Sequence, residues 1–298
     1  MSATTAANET QTRAAVGGSL HRQHLWALRG SYTALSVFVI MFLLPPFYML
    51  MTSLKTSAEI SAEKGNPWVA QSPTLSNYVE LMTTTKFALY FFNSTWVTLL
   101  TVMISMTIAI LAAFSLSRMG FKGSQTIATG VFLTYLVPPS LLFLPLFQIV
   151  GAMHLIDTTW VLVLLFPTLA VPFCTWIMIG YFGSIPKELD EAALIDGATY
   201  MQILFKIFIP VAFPGIIAAT IFAFTVGWGA FLYPLAFLYR GDQLVLTVGI
   251  VSELIRGDVF AWGKIMAACV TAALPPILIY TFLMDYYIAG LTAGATKG

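Results

Sequence analysis

The chain has 298 residues, of which 58% are hydrophobic and 9% charged, against about 25% charged in soluble domains, so a soluble protein is excluded and a polytopic membrane protein is expected. A net charge of +1 without any basic run excludes a nucleic-acid partner. Cys174 and Cys269 stand in apolar surroundings, and His21, His24 and His154 do not cluster with them, so no metal site is expected.

Residues 1–30 are polar and rich in small side chains, with Arg13, Arg22 and Arg29 against Glu9, and read as a disordered cytoplasmic leader. The apolar block at about 31–52 is too long for a signal-peptide core and is expected to remain as a span. A polar segment follows, and then apolar blocks at about 88–115, 127–150, 157–182, 212–238 and 264–288. About 20 helical residues cross the roughly 30 Å hydrocarbon layer, so the expected fold is all-α, with six transmembrane helices and both ends cytoplasmic. That orientation puts eight basic residues inside and six outside, a weak bias in the right direction. The sequon Asn93-Ser94-Thr95 opens an apolar block and is read as chance. Prolines recur inside the blocks at Pro45-Pro46, Pro138-Pro139, Pro145, Pro167, Pro172, Pro234 and Pro275-Pro276. They are read either as packing kinks or as bends that shape a path near the midplane.

The polar island at 183–211 holds six acidic and basic residues between two apolar blocks. Pro186 suits a first helical turn, and Glu188, Asp190 and Glu191 follow at the positive end of the helix dipole. Asp196-Gly197 stops this helix, because glycine takes the left-handed conformation without a Cβ clash. Thr199 with Gln202 three residues later predicts a capping box opening a second helix, which Pro210 and Pro214 limit. Tyr200, Ile203, Leu204, Ile207 and Phe208 form one apolar stripe facing the protein, while Met201, Phe205 and Lys206 fall off it. On spacing alone the island is either a plain connector or a docking element.

Glu191-Ala192-Ala193, then Asp196-Gly197-Ala198 and a proline-containing end, resembles the EAA coupling loop of ABC importer permeases. The resemblance implies that the loop enters a cleft of an ATPase subunit, that Glu191 pairs with a basic residue there, and that Gly197 makes the turn. Ala192, Ala193, Asp196, Ala198, Phe205 and Pro210 complete the implied coupling set. Two further stretches resemble carbohydrate-type members of that family. Ser53-Leu54-Lys55, Glu59-Ile60, Pro67-Trp68, Pro73-Thr74-Leu75 and Asn77-Tyr78 are similar to their external segment, and Gly290 to Ala295 with Lys297-Gly298 to their C-terminus. The chain departs from many relatives at Trp228-Gly229, where they carry Trp-Asn, and at Asp285-Tyr286-Tyr287, where a basic residue is common.

What the likeness implies is the smaller, six-span permease of a maltose-type pair in a bacterial cytoplasmic membrane. Its implied partners are a second homologous permease, two ATPase subunits and an extracytoplasmic solute-binding protein, with a sugar as substrate. Other classes fit the residues poorly. Asp157 and Asp285 lie at span edges and no ionisable residue lies near a span centre, against proton- or sodium-coupled transport. No phosphate loop is present, so ATP is expected on a partner and no cofactor on this chain. A membrane enzyme would need titratable groups converging at one depth. A permease for a non-sugar solute remains the alternative. Phe224, Trp228 and Tyr233 are read either as aromatic walls of the path, on which sugar rings stack, or as packing residues.

Overall fold

The computed structural model describes residues 26–62, 65–255, 260–284 and 286; beyond these it gives only the backbone course of the first and last helices and of a short strand pair. Helix α1 is Ala3–Ser53, and its part Trp26–Ser53 is apolar enough to cross a membrane. The leader expected over 1–30 lies outside the described residues up to residue 25. Trp26–Arg29, the end of that leader, are already helical within α1.

After α1 come the short helices α2 (Ser57–Ile60) and α3 (Ser76–Thr84). The buried Asn77 Nδ2 donates to the carbonyls of Ser53, at 2.9 Å, and Lys55, at 2.7 Å, satisfying carbonyls that the end of α1 leaves unpaired. Helix α4 (Phe87–Arg118) then runs the full depth of the protein.

The expected span at 127–150 is in fact two helices, α5 (Ser124–Tyr135) and α6 (Pro139–Ala152), meeting at 96°. Pro139 forces Pro138 out of the helical region, to ψ 131°, and the pair supplies no N–H groups to carry the helix across. Helix α7 (Trp160–Ser184) absorbs Pro167 and Pro172 without breaking.

The polar island carries α8 (Lys187–Ile195), α9 (Tyr200–Ile203) and α10 (Ile209–Val211). The expected span at 212–238 is likewise divided. Helix α11 (Phe213–Gly229) ends where Ala230 turns extended, and α12 (Leu232–Phe237) follows. Helix α13 (Leu246–Leu254) leads to a minimal antiparallel pair of strands, β1 (Ile255–Arg256) and β2 (Val259–Phe260), and α14 (Trp262–Ala295) closes the chain. The C-terminal stretch from Gly290 lies outside the described side chains.

Contacts fix the relative directions of the spans. Trp96 meets Trp160 near the starts of α4 and α7, with ring centroids 5.2 Å apart, and Arg118 meets Phe182 at their ends. The two helices are therefore parallel, and the bent pair α5–α6 carries the chain back across between them. Phe91 on α4 meets Trp228 on α11, and Phe213 on α11 meets Tyr286 on α14, so α11 runs against both. Among the described residues, four helices are long and apolar enough to cross a membrane, rising to six if each bent pair is one span, the second pair being the helical stretch Tyr200–Val211 and α11, which meet at 82°.

The core divides into two apolar clusters, one around Phe166, Trp228 and Phe237, the other around Phe114, Phe182 and Phe208. Between the core helices, Gly227 lies so close to Thr98 that an added Cβ would sit 3.1 Å from the Thr98 methyl, the small-residue contact by which membrane helices approach. Asn93 Nδ2 donates to the carbonyls of Asp242 and Leu244, and Ser94 Oγ accepts from the Leu246 amide at 2.8 Å. The residues of the sequon thus tie the segment before α13 to α4.

Candidate docking site

At the end shared by α4 and α7 the chain projects its helix pair. Pro186 stands before α8 with ψ 138°, and Glu188 and Asp190 occupy the first turn. At the other end Gly197 has φ +83°. The Ala198 amide reaches back to the Ala193 carbonyl at 2.9 Å and the Gly197 amide to Leu194 at 3.0 Å, the two bonds of a Schellman turn. Thr199 opens α9 with the expected capping box: the Gln202 amide donates to Thr199 Oγ1 at 3.3 Å, and the Thr199 amide donates to Gln202 Oε1 at 2.8 Å.

Beyond Ile203 the helix widens into a π turn over Leu204–Phe208. Pro210 explains it: proline offers no N–H to the Lys206 carbonyl and its ring crowds that oxygen, and the wider turn makes room.

Burial sorts the residues into two faces. Ile203, Leu204 and Phe208 are fully buried in the second core cluster, and Ile207 is half-buried. Tyr200 departs from the expected stripe: it is 45% exposed, although its ring still meets Phe114 edge-on. On the outer face Glu191, Ala192, Asp196, Gly197 and Pro210 are exposed, and Ala193 and Ala198 are half-buried. Phe205 is 59% exposed and Ile195, at the tip of α8, is 86% exposed. Large apolar side chains held in the open beside acids make a surface suited to a protein partner.

The residue that sequence reasoning missed is Arg118. Its side chain is 4% exposed and joins four elements. Its guanidinium donates to the carbonyls of Phe182 and Ile185 at the end of α7 and pairs with Asp190 of α8 at 3.4 Å. It also lies over the Phe208 ring, 4.8 Å from the centroid. Phe114, Phe182 and Phe208 pack edge to face beneath it, with centroids 5.2–6.3 Å apart. The available signal was an arginine ending an apolar block, opposite a loop rich in acids. Of those acids only Asp190 turns inward, which leaves Glu188 and Glu191 exposed.

Phe224, Trp228 and Tyr233 lie elsewhere, buried in the first cluster. Trp228 Nε1 donates to the Ala272 carbonyl and Tyr233 Oη to that of Pro139, both at 3.1 Å, and Phe224 stacks on Trp228. In this structure the three rings face packed protein rather than an open path.

These features define a multi-pass, nearly all-helical membrane protein with a helix pair presented at one end of its spans. Residues 105–292 match the family described as the binding-protein-dependent transport system inner membrane component, and the chain belongs to that family of inner-membrane transport permeases. It is 35% identical to the sulfoquinovosyl glycerol transport system permease protein SmoH of Agrobacterium fabrum, over 90% of this chain and 93% of that one. It is 31% identical to the trehalose/maltose transport system permease protein MalG of Thermococcus litoralis, over 87% and 93%. Among solved structures, a bacterial ABC transporter involved in the import of the acidic polysaccharide alginate matches with a TM-score of 0.77 at 20% identity, covering 86% of this chain and 95% of that one. The bacterial alginate ABC transporter in complex with an alginate pentasaccharide-bound periplasmic protein matches with a TM-score of 0.63 at 17% identity, over 85% and 91%.

Proposed function

We propose that the chain is the carbohydrate permease of an ATP-driven importer, working with a second homologous permease, two ATPase subunits and an extracytoplasmic binding protein. The observation that carries this reading is the helix pair α8–α9. Its inner face is locked to the ends of α4 and α7, and its outer face presents Glu191, Ala192, Phe205 and Ile195 to a partner. ATP-driven closure of the ATPases moves the pair as a rigid body and switches the spans between inward and outward access. ATP binds the partner subunits and this chain needs no cofactor of its own. Both termini are cytoplasmic in this reading, on the side of the ATPases. Carbohydrate as the substrate class is supported by the names of the relatives, which transport sulfoquinovosyl glycerol and trehalose or maltose.

Glu191 is the proposed ionic anchor, pairing with a basic residue in the ATPase cleft. A pair desolvated at an interface couples by about 1.5–7 kcal/mol, while an exposed rim pair gives about 1 kcal/mol or less. Glu191→Lys is therefore expected to insert normally but to lose ATPase co-purification, whereas Glu188→Lys retains it. A compensating charge reversal in the ATPase restores part of the loss. Full retention by Glu191→Lys would make the pair a plain connector. The substrate class is tested by ATP hydrolysis of the assembled complex with its binding protein, using maltose, trehalose and sulfoquinovosyl glycerol as probes. Stimulation only by solutes outside the sugars would move the reading to a non-sugar permease.

A further inference from the structure

We propose that Arg118 is the positioning residue that makes the helix pair α8–α9 move as one body with the spans, an inference that rests on the docking role proposed above. Transmission needs a stiff joint at the point where the pair leaves the membrane. The backbone alone does not provide one, since only Ile185 and Pro186 connect α7 to α8.

Arg118 supplies the joint from a third element. Two of its N–H groups hold the carbonyls of Phe182 and Ile185, at the negative end of the α7 dipole. Another reaches Asp190 one turn into α8, and the plane of the group covers Phe208 in the π turn. A planar fork with five donors makes these contacts at once, and a lysine ammonium on a flexible stem does not. With Arg118 at 4% and Asp190 at 16% exposure, the pair is screened little by solvent or salt. The other ion pairs among the described residues, Arg240 with Asp157 and Asp242 and Glu80 with Lys264, lie at the opposite end of the spans. No second charge pair shares this task.

The test is a distance measurement in the assembled complex. Spin labels are placed at Phe92→Cys on α4 and Glu188→Cys on α8, both exposed, the latter at a position whose charge reversal is expected to leave the ATPase bound, in a background with Cys174→Ala and Cys269→Ala. At 1.5 Å per residue, Phe92 lies roughly 39 Å along α4 from Arg118, within range of pulsed EPR. With Arg118 intact, the distribution is expected to be a single narrow peak both without nucleotide and with ATP and vanadate. In Arg118→Gln and Arg118→Lys its width at least doubles once ATP is bound, while the ATPase subunit is still retained. Asp190→Asn, which leaves both carbonyl bonds in place, gives an intermediate width and decides the matter if the Arg118 variants fail to insert.

A residue that merely stabilised the fold would lower the unfolding temperature and leave these widths unchanged. Narrow, unchanged peaks in variants that retain the ATPase would overturn the proposal and leave the docking reading standing. Failure of the chain with Arg118 intact to retain any ATPase subunit would overturn both.

Discussion

Asp190 and Glu191 are neighbours on one short helix, yet one closes a buried ion pair with Arg118 and the other stands in the open. Successive helical positions differ by about 100°, so the inward turn of Asp190 leaves Glu191 to face outward. The same local logic governs Gly197. Nothing lies within 4 Å of where its Cβ would be, so at φ +83° a side chain meets backbone strain rather than a neighbour. Gly197→Val is expected to cost about 1–2 kcal/mol, lower the unfolding temperature and loosen ATPase retention without preventing insertion. Gly130, inside α5 with equally open surroundings and no positive φ, is the contrast. Gly130→Ala should gain up to about 1 kcal/mol of helix stability, and a Gly197→Val variant as stable as Gly130→Ala would refute the turn assignment. The turn was legible because its partners lie within six residues of one another. Arg118 was not, because Asp190 is 72 positions away and no local pattern announces such a pair.

Elements behave the same way: where the determinants are local the sequence predicts them, and where they come from a distant segment it does not. The Thr199 capping box and the start of α8 appeared where composition put them. The 96° break at Pro138-Pro139 was visible as a proline pair but was smoothed into one apolar block, since hydropathy averages over a window longer than the break. The ends of α1 and α14 illustrate distant control. Asn77, on α3, holds the carbonyls of Ser53, the last residue of α1, and of Lys55 just beyond it, and Gly263, near the start of α14, lies so close that an added Cβ would sit 2.4 Å from Asn77 Oδ1. Gly263→Ala should therefore displace the same amide that Asn77→Ala removes. Leaving the buried carbonyls unpaired costs about 1–3 kcal/mol. In a double-mutant cycle followed by thermal unfolding, the two changes are expected to fall well short of additive. Strict additivity would mean that the glycine and the amide act separately.

At the scale of the whole molecule, the decisive feature is that the ends of α4 and α7 coincide at Arg118 while their starts coincide at Trp96 and Trp160. Parallel neighbours require the chain to cross between them, so the bent pair α5–α6 is one broken span and not a re-entrant loop. Three crossings then separate the segment after α1 from the tip of α8, and an odd number places them on opposite sides. Single cysteines at Ser72 and Ile195, both exposed, test this in a background lacking Cys174 and Cys269. Ile195 is preferable to the neighbouring Thr199, whose side chain caps α9 and whose loss would cost about 1 kcal/mol. With a membrane-impermeant maleimide, Ser72→Cys should label in right-side-out vesicles and Ile195→Cys in inside-out vesicles. Labelling of both from the outside would refute the crossing assigned to α5–α6. Opposite labelling with the sides exchanged would keep the six crossings and reject a cytoplasmic helix pair, and with it the proposed ATPase docking.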